Sequence, residues 1–418
     1  MKKTFLEGIK YSNRVINDII FMCETRTKPT YFTRGGKMSF QSIILFMLNF
    51  VRKSLQLELD LFFSMLKEQS ITKEGFSQAR EKISPVAFIK LADAITTWFY
   101  GDDDFKTFKG FRLLAVDGSV VQLNNSETLR QAFGYVENQL VKLARAKMSA
   151  LFDIENGMIV TAKIAHYNAS ERVIAAEHIS KLKEFGLKND LIIFDRGYPS
   201  RELISTIQNN GIKYLMRVPS HFLKAINNAK AEDQIVKAKI EGKPVEIRVL
   251  RLILDSGIEE TLITNICDPG FTVQDFKELY FKRWGIETKY DELKNRLQIE
   301  NISGDSAIAV EQDFYASIYL SNMATLAKGE ADEKIRQRNA GKGLKYGYKV
   351  NMNLLIGKLK NSLVLMMLEE NPRKRTKMLN MIMTDISRNV IPIRPGRNKP
   401  RKKKLVSNKY SLNDKRCL

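Results

Sequence analysis

The sequence predicts a mixed α/β core set between helical segments, and three observations predict it. Residues 1 to about 100 carry apolar side chains at helix spacing. After the acidic stretch Gly101-Asp-Asp-Asp104 the period shortens to that of strands. The order that follows is strand, strand, strand, helix, strand, helix, strand, which suits a mixed sheet rather than a bundle.

Among the first hundred residues, Ser39 to Leu48 and Leu55 to Leu66 show the helix pattern. Ser70 to Ile83 reads as a turn and a short helix, with Thr72 as N-cap and Glu74 in the first turn. Gln78, Arg80 and Lys82 could meet DNA from it, in the manner of a helix-turn-helix. Phe111 to Val121 reads as a strand, apolar except for Asp117. Ala144 to Asp153 and Gly157 to His166 are two more, joined at Glu155-Asn-Gly157. Glu171 to Phe185 is an amphipathic helix. Asp190 to Phe194 is a short apolar strand that runs into Asp195 and a glycine turn. Glu202 to Asn209 and Lys213 to Val218 complete the pattern as helix and strand. Residues 219–269 read as a mainly β insertion, with a polar helix at Phe222 to Lys230 and alternating runs at Val245 to Leu254 and Glu260 to Cys267. Val273 to about Leu297 is a long helix, and Ala307 to Lys328 and Leu354 to Leu368 are further helices.

The 418 residues suffice for about two or three domains. Lys and Arg total 68 against 47 Asp and Glu, a formal charge of +21. That surplus suits a polyanion: nucleic acid first, an anionic membrane second. Asn371 to Leu418 holds +13 of it, which leaves +8 for the preceding 370 residues, so the end of the chain reads as a separate basic device. Pro395 to Lys404 has the composition of a disordered arm. The three cysteines, Cys23, Cys267 and Cys417, are far apart and odd in number, which argues against a disulfide framework and fits a reducing cytoplasm. Three histidines leave little for a zinc site or a histidine triad. The longest apolar run, Ile43 to Val51, is far short of a membrane span and the N-terminus is no signal peptide, so the chain is expected to be soluble and intracellular.

A carboxylate within an apolar strand is costly unless it is paired or holds a cation. Asp117 and Asp195 are both of this kind. On a helix, at roughly 100° per residue, Tyr280, Arg283, Glu287 and Lys294 fall within about 60° of one another. Two strand acids and one helix acid suit a hard divalent ion, with cations and a hydroxyl beside it for phosphate. Asp291 shares the face as a rival ligand. Trp284 lies near it, where it could stack on a base or belong to the core.

These residues carry a resemblance. The sequence resembles a DDE transposase of a bacterial insertion sequence, in the branch, insertion-sequence family four, that bears the signature Tyr-x2-Arg-x3-Glu-x6-Lys. Tyr280, Arg283, Glu287 and Lys294 match it without a spacing error. Val116-Asp-Gly-Ser119 and Phe194-Asp-Arg-Gly-Tyr198 are similar to the two Asp motifs, and Ile391 to Arg401 to the family's C-terminus.

The resemblance implies a ribonuclease-H-like core with a β-rich insertion. Residues 1–104 would be a helical DNA-binding domain, 105–218 and 270–335 the catalytic core, 219–269 the insertion, and 336–418 C-terminal helices and basic tail. Asp117, Asp195 and Glu287 would be the catalytic triad and hold two Mg2+ or Mn2+ ions. Tyr280, Arg283 and Lys294 would hold phosphates, with Arg196 as a further DNA contact. The partners would be the transposon's terminal inverted repeats and target DNA, bound by a homodimer, with no membrane involved, in the bacterial cytoplasm at the nucleoid. The reaction would be hydrolytic nicking and strand transfer, usually through a hairpin. The competing readings are a catalytically silent DNA-binding derivative and a general ribonuclease-H-like nuclease.

Overall fold

The computed structural model describes residues 3–49, 54–139, 141–186, 188–253, 257, 259–360 and 362–394. The expected disordered arm at Pro395 to Lys404 lies outside the described residues, as does Cys417. The chain forms two compact units. The first comprises Met1–Phe99, Val121–Arg145 and Leu293–Leu418, and the second Tyr100–Val120 and Ala146–Glu292.

The strands, in chain order, are β1 (Arg112–Gln122), β2 (Tyr135–Glu137), β3 (Lys142–Asp153), β4 (Ile159–His166), β5 (Asp190–Phe194), β6 (Lys213–Val218), β7 (Asp233–Ile240), β8 (Lys243–Ile253) and β9 (Glu259–Thr264). In the second unit they run in the order β4-β3-β1-β5-β6-β9-β8-β7. β3 pairs antiparallel with β4, whereas β1, β5 and β6 are mutually parallel. The helices Glu171–Glu184 and Arg201–Asn209 connect β4 to β5 and β5 to β6. This is a mixed sheet, as the order of elements in the sequence predicts. β5 and the first half of β1 are buried on both faces, as central parallel strands must be.

The segment after β6 does not form a sheet of its own. β9 pairs antiparallel with β6, and β8 and β7 follow outward, so the core sheet continues through it. β7 escapes the sequence reading because it is an outer strand with mostly exposed side chains, and its alternation is masked by lysines. Leu113, Leu191, Ile193, Leu215, Leu250 and Leu262 from these strands form one core with Phe276 and Leu279 of the helix Val273–Lys282. That helix is fixed at its start by a capping box between Thr272 and Asp275.

β1 and β5 begin on a buried ion pair. Arg112 Nε lies 2.6 Å from Asp190 Oδ1 and its Nη2 3.1 Å from Oδ2, and both side chains are wholly buried. The register runs from Arg112 opposite Asp190 to Ala115 opposite Ile193.

In the first unit the helix Ala307–Asn339 is the axis, and nearly every residue from Ala309 to Ala327 is buried. A helix apolar or small all round is a central one. Helix Phe5–Ile16 lies against it, with Tyr319 donating to Ser12 Oγ at 2.6 Å. Pro372–Arg388, read from sequence as part of a basic tail, is an amphipathic helix that buries Leu379, Ile382, Met383 and Ile386. The short helix Lys73–Arg80 starts at Thr72, whose hydroxyl accepts from the Gly75 amide at 3.1 Å. No helix of the described residues is long and apolar enough to cross a membrane.

Two buried titrating groups of the second unit pull stability in opposite directions with pH. Burial, with Lys163 nearby, lowers the His178 pKa from 6.5 to about 3. A depressed group contributes stability above its ordinary pKa, and loses it as pH falls from about 6.5 toward 3. Burial raises Asp153 from 3.8 to about 6, so its contribution is present at low pH and is lost as pH rises through 6. Below pH 6.5 His178 should therefore steepen acid unfolding by up to about 1.4 kcal/mol per pH unit. Denaturant midpoints measured from pH 7 to pH 4 should fall less steeply for His178→Gln than for the wild type. Parallel curves would show that His178 is not the responsible group.

Candidate active site

Asp117 lies in β1 and Asp195 directly follows β5, the neighbouring parallel strand. Continuing the register past Ala115 and Ile193 brings the two acids level, because both lie five residues beyond the Arg112–Asp190 pair. Adjacent strands are about 4.8 Å apart. Asp117 is half-buried and its Oδ1 accepts from the Gly118 amide at 2.9 Å. Burial pushes its pKa up to about 6, the Gly118 amide and Arg283 pull it down, and Glu287 and Asp195 push it up again. Asp117 thus sits within the electrostatic reach of both other acids and of Arg283.

The long helix expected over Val273 to Leu297 is two helices, Val273–Lys282 and Trp284–Asn295, which meet at Arg283. Hydrogen bonds there tighten to three residues, from Arg283 N to Tyr280 O and from Ile286 N to Arg283 O. Gly285 sits close to Phe152 and Ile154 at this point. Signature side chains on either side of the junction meet two of the acids. The Tyr280 hydroxyl donates to Asp195 Oδ1 at 3.2 Å. Arg283 donates to Glu287 Oε1 at 3.0 Å and is 5% exposed. Its guanidinium lies 5.9 Å from the Tyr280 ring and 5.1 Å from the Trp284 ring. Burial works against the Arg283 charge, but Asp195, Tyr280 and Glu287 raise its pKa nonetheless.

The remaining expected site residues are placed as follows. Arg196 is exposed, with its backbone N–H on Asp195 Oδ1 at 2.6 Å. Trp284 is 43% exposed, and Asp291 is exposed on the same helix. Lys294 belongs to the first unit, where it lies 4.0 Å from Glu300. Gln78 is exposed and Lys82 half-buried with its ammonium over the Tyr31 ring. Arg80 does not face solvent. It is 4% exposed, and its guanidinium bonds Gln312, Ser303, Asp313 and the Ala309 carbonyl. The sequence reading put it on a DNA face because a buried arginine on a polar helix looks like any other surface cation; in this arrangement it is an internal tie of the helical unit.

Other residues, among them Tyr198 and Gly118 of the two Asp motifs, join the site. Tyr198 is 1% exposed, and its hydroxyl has no hydrogen-bond partner among the described residues. Burial raises its pKa, with Asp117, Glu171, Tyr290 and Asp195 adding to the shift. Glu171 lies close by, and a Cβ on Gly118 would stand 2.7 Å from its Oε1. Tyr290 and Ser149 both donate to the Asp117 carbonyl, at 2.5 and 3.1 Å.

The donors that face one another are oxygens, which Mg2+ and Mn2+ prefer, and such ions are typically held by one or two carboxylates with substrate phosphate. The donor chemistry therefore fits a hard divalent ion. Among the described residues, no group of three or more His, Cys, Asp or Glu side chains is drawn together closely enough to hold one ion. Asp195 and Glu287 are instead engaged by Tyr280 and Arg283.

A family model described as a transposase DDE domain matches residues 109–323, just over half of the chain. The chain belongs to the DDE transposase family. Transposases of this family act on DNA and generally use divalent metal ions. The matched span contains Asp117, Asp195 and the whole of both signature helices. No curated protein matches this transposase in sequence. In structure it is similar to the piggyBac transposase in a synaptic complex with hairpin DNA, at 10% identity and a TM-score of 0.47, over 90% of this chain and 85% of that one.

Proposed function

We propose that this transposase belongs to the insertion-sequence family-four branch, binds the terminal inverted repeats of its own element, and cuts and joins DNA there. The observation that carries the reading is the placement of Asp117 on β1 level with Asp195 at the end of the neighbouring β5, with Tyr280 and Arg283 of the signature helices on Asp195 and Glu287, all inside the matched domain. These three side chains would hold two Mg2+ or Mn2+ ions, which supply positive charge to the oxygens around a phosphorus undergoing displacement. The chain's own residues then position the substrate. Arg283 offers a planar pair of donors to a phosphate, Tyr280 a single hydroxyl and Lys294 a point charge. For this, Arg283 and Tyr280 exchange their present carboxylate partners for phosphate oxygens. Arg196 and Gln78, both exposed, and Lys82 would add contacts to the DNA backbone, and Trp284 a face for a base. A homodimer pairing both transposon ends, and a hairpin on the end, complete the reading.

The test uses a duplex carrying the inverted repeat found beside the gene, with Mg2+ and with EDTA. Metal-dependent nicking that leaves a 3′-OH, followed by joining to added plasmid, is the expected result. Salt-sensitive binding without a nick would instead favour a silent DNA-binding derivative. Nicking without joining would favour a general nuclease.

A further inference from the structure

We propose that the Tyr290 hydroxyl is a positioning group for the acids, tying the helix that carries Glu287 to the strand that carries Asp117. The inference rests on the assignment of those acids as metal ligands.

Tyr290 follows Glu287 by three residues on the same helix, so the two side chains leave neighbouring points of one rigid face. Its ring is 6% exposed. Its hydroxyl donates to the backbone carbonyl of Asp117 at 2.5 Å and takes a hydrogen bond from the Ala150 backbone of β3. It is therefore inserted between β1 and β3 at the residue that bears the first acid. Ser149, also on β3, donates to the same carbonyl at 3.1 Å. Both lone pairs of that oxygen are filled, and the Asp117 peptide is held from two sides.

The second donor is itself oriented. His178 is 2% exposed, and its Nε2 lies 3.1 Å from Ser149 Oγ. A serine hydroxyl has one proton, and Ser149 gives it to the Asp117 carbonyl. His178 must then donate, which sets the imidazole as the Nε2–H form. The order His178, Ser149, Asp117 carbonyl is a one-way chain of donors that ends on the first acid. None of these groups approaches a reacting atom, so their effect runs through the placement of Asp117 against Glu287.

Placement matters because a metal site tolerates only about 0.5 Å of error, and losing an outer-shell partner typically costs 10–100-fold in metal affinity or activity. A hydroxyl that only satisfied a buried carbonyl would change stability and leave metal affinity alone.

The experiment compares wild type, Tyr290→Phe and Ser149→Ala, each as the full chain. Mn2+ binding is titrated without DNA by electron paramagnetic resonance, and Mg2+ dependence is read from cleavage of the inverted-repeat duplex. Tyr290→Phe keeps the ring and removes only the oxygen. It should bind Mn2+ about 10–100-fold more weakly and need correspondingly more Mg2+, while binding the duplex as the wild type does. Ser149→Ala should shift the same way by less. Wild-type Mn2+ affinity and Mg2+ dependence in Tyr290→Phe would overturn the proposal. If that variant does not fold, unchanged metal affinity in Ser149→Ala overturns it. A wild type that neither binds Mn2+ nor cuts would instead sink the assignment of the acids, and the positioning role with it.

Discussion

Glu287→Ala is expected to remove metal-dependent end cleavage and leave end binding in place. Deleting one preorganised transition-state group costs roughly 10²–10³-fold or more in rate. Glu287 adds to the negative field at Asp117 and accepts from Arg283. Without it, the proposed ion site would lose one of its few oxygen donors. Arg283 keeps the attraction of Asp195 and the rings of Tyr280 and Trp284 around it, so its proposed hold on phosphate would persist. Single-turnover cleavage of a labelled duplex beside a gel shift separates the two effects. Cleavage at the wild-type rate would dismiss Glu287 and bring Asp291, on the same helix, forward as the helix acid.

The largest loss of stability is expected from Asp190→Ala. Arg112 and Asp190 are wholly buried, and the Lys188 amide also bonds Asp190 at 3.1 Å. Arg112 lies over the Tyr100 ring at 4.6 Å, and that ring cannot replace a carboxylate. Removing one member of a buried pair leaves the other charge uncompensated, at about 3–5 kcal/mol. Denaturant midpoints should show a fall of that size, whereas Lys142→Ala, which breaks the exposed pair with Glu137, should leave them nearly unchanged. A difference smaller than this between the two variants would mean that water reaches Arg112 when Asp190 is gone.

The core strands are legible in the sequence because their physics is local. β1, β5 and β6 are apolar runs bounded by turns, and a carboxylate in such a run stands out by its cost. The elements that escape notice are those whose local signal is overwritten. The helix Pro372–Arg388 hides its apolar face under arginines and lysines. The tight turn at Arg283 hides inside an unbroken helical pattern. The contacts around the Asp117 carbonyl could not be read at all: Tyr290 is 173 positions away in the chain, and Ser149 is 32. Only folding brings them together. Arg80 errs the other way, since a helix with few apolar residues gave no hint that its last arginine turns inward.

The two five-residue intervals from the Arg112–Asp190 pair to Asp117 and Asp195 act as matched rulers. Side chains alternate faces along a strand, so one residue more or fewer in either interval would send its acid to the opposite side of the sheet. A change of two would restore the side but displace the acid by about 6.6 Å along the strand. Loops elsewhere in this chain can vary in length at small cost. These two intervals cannot, and the tolerance of the protein to insertions should be narrowest there.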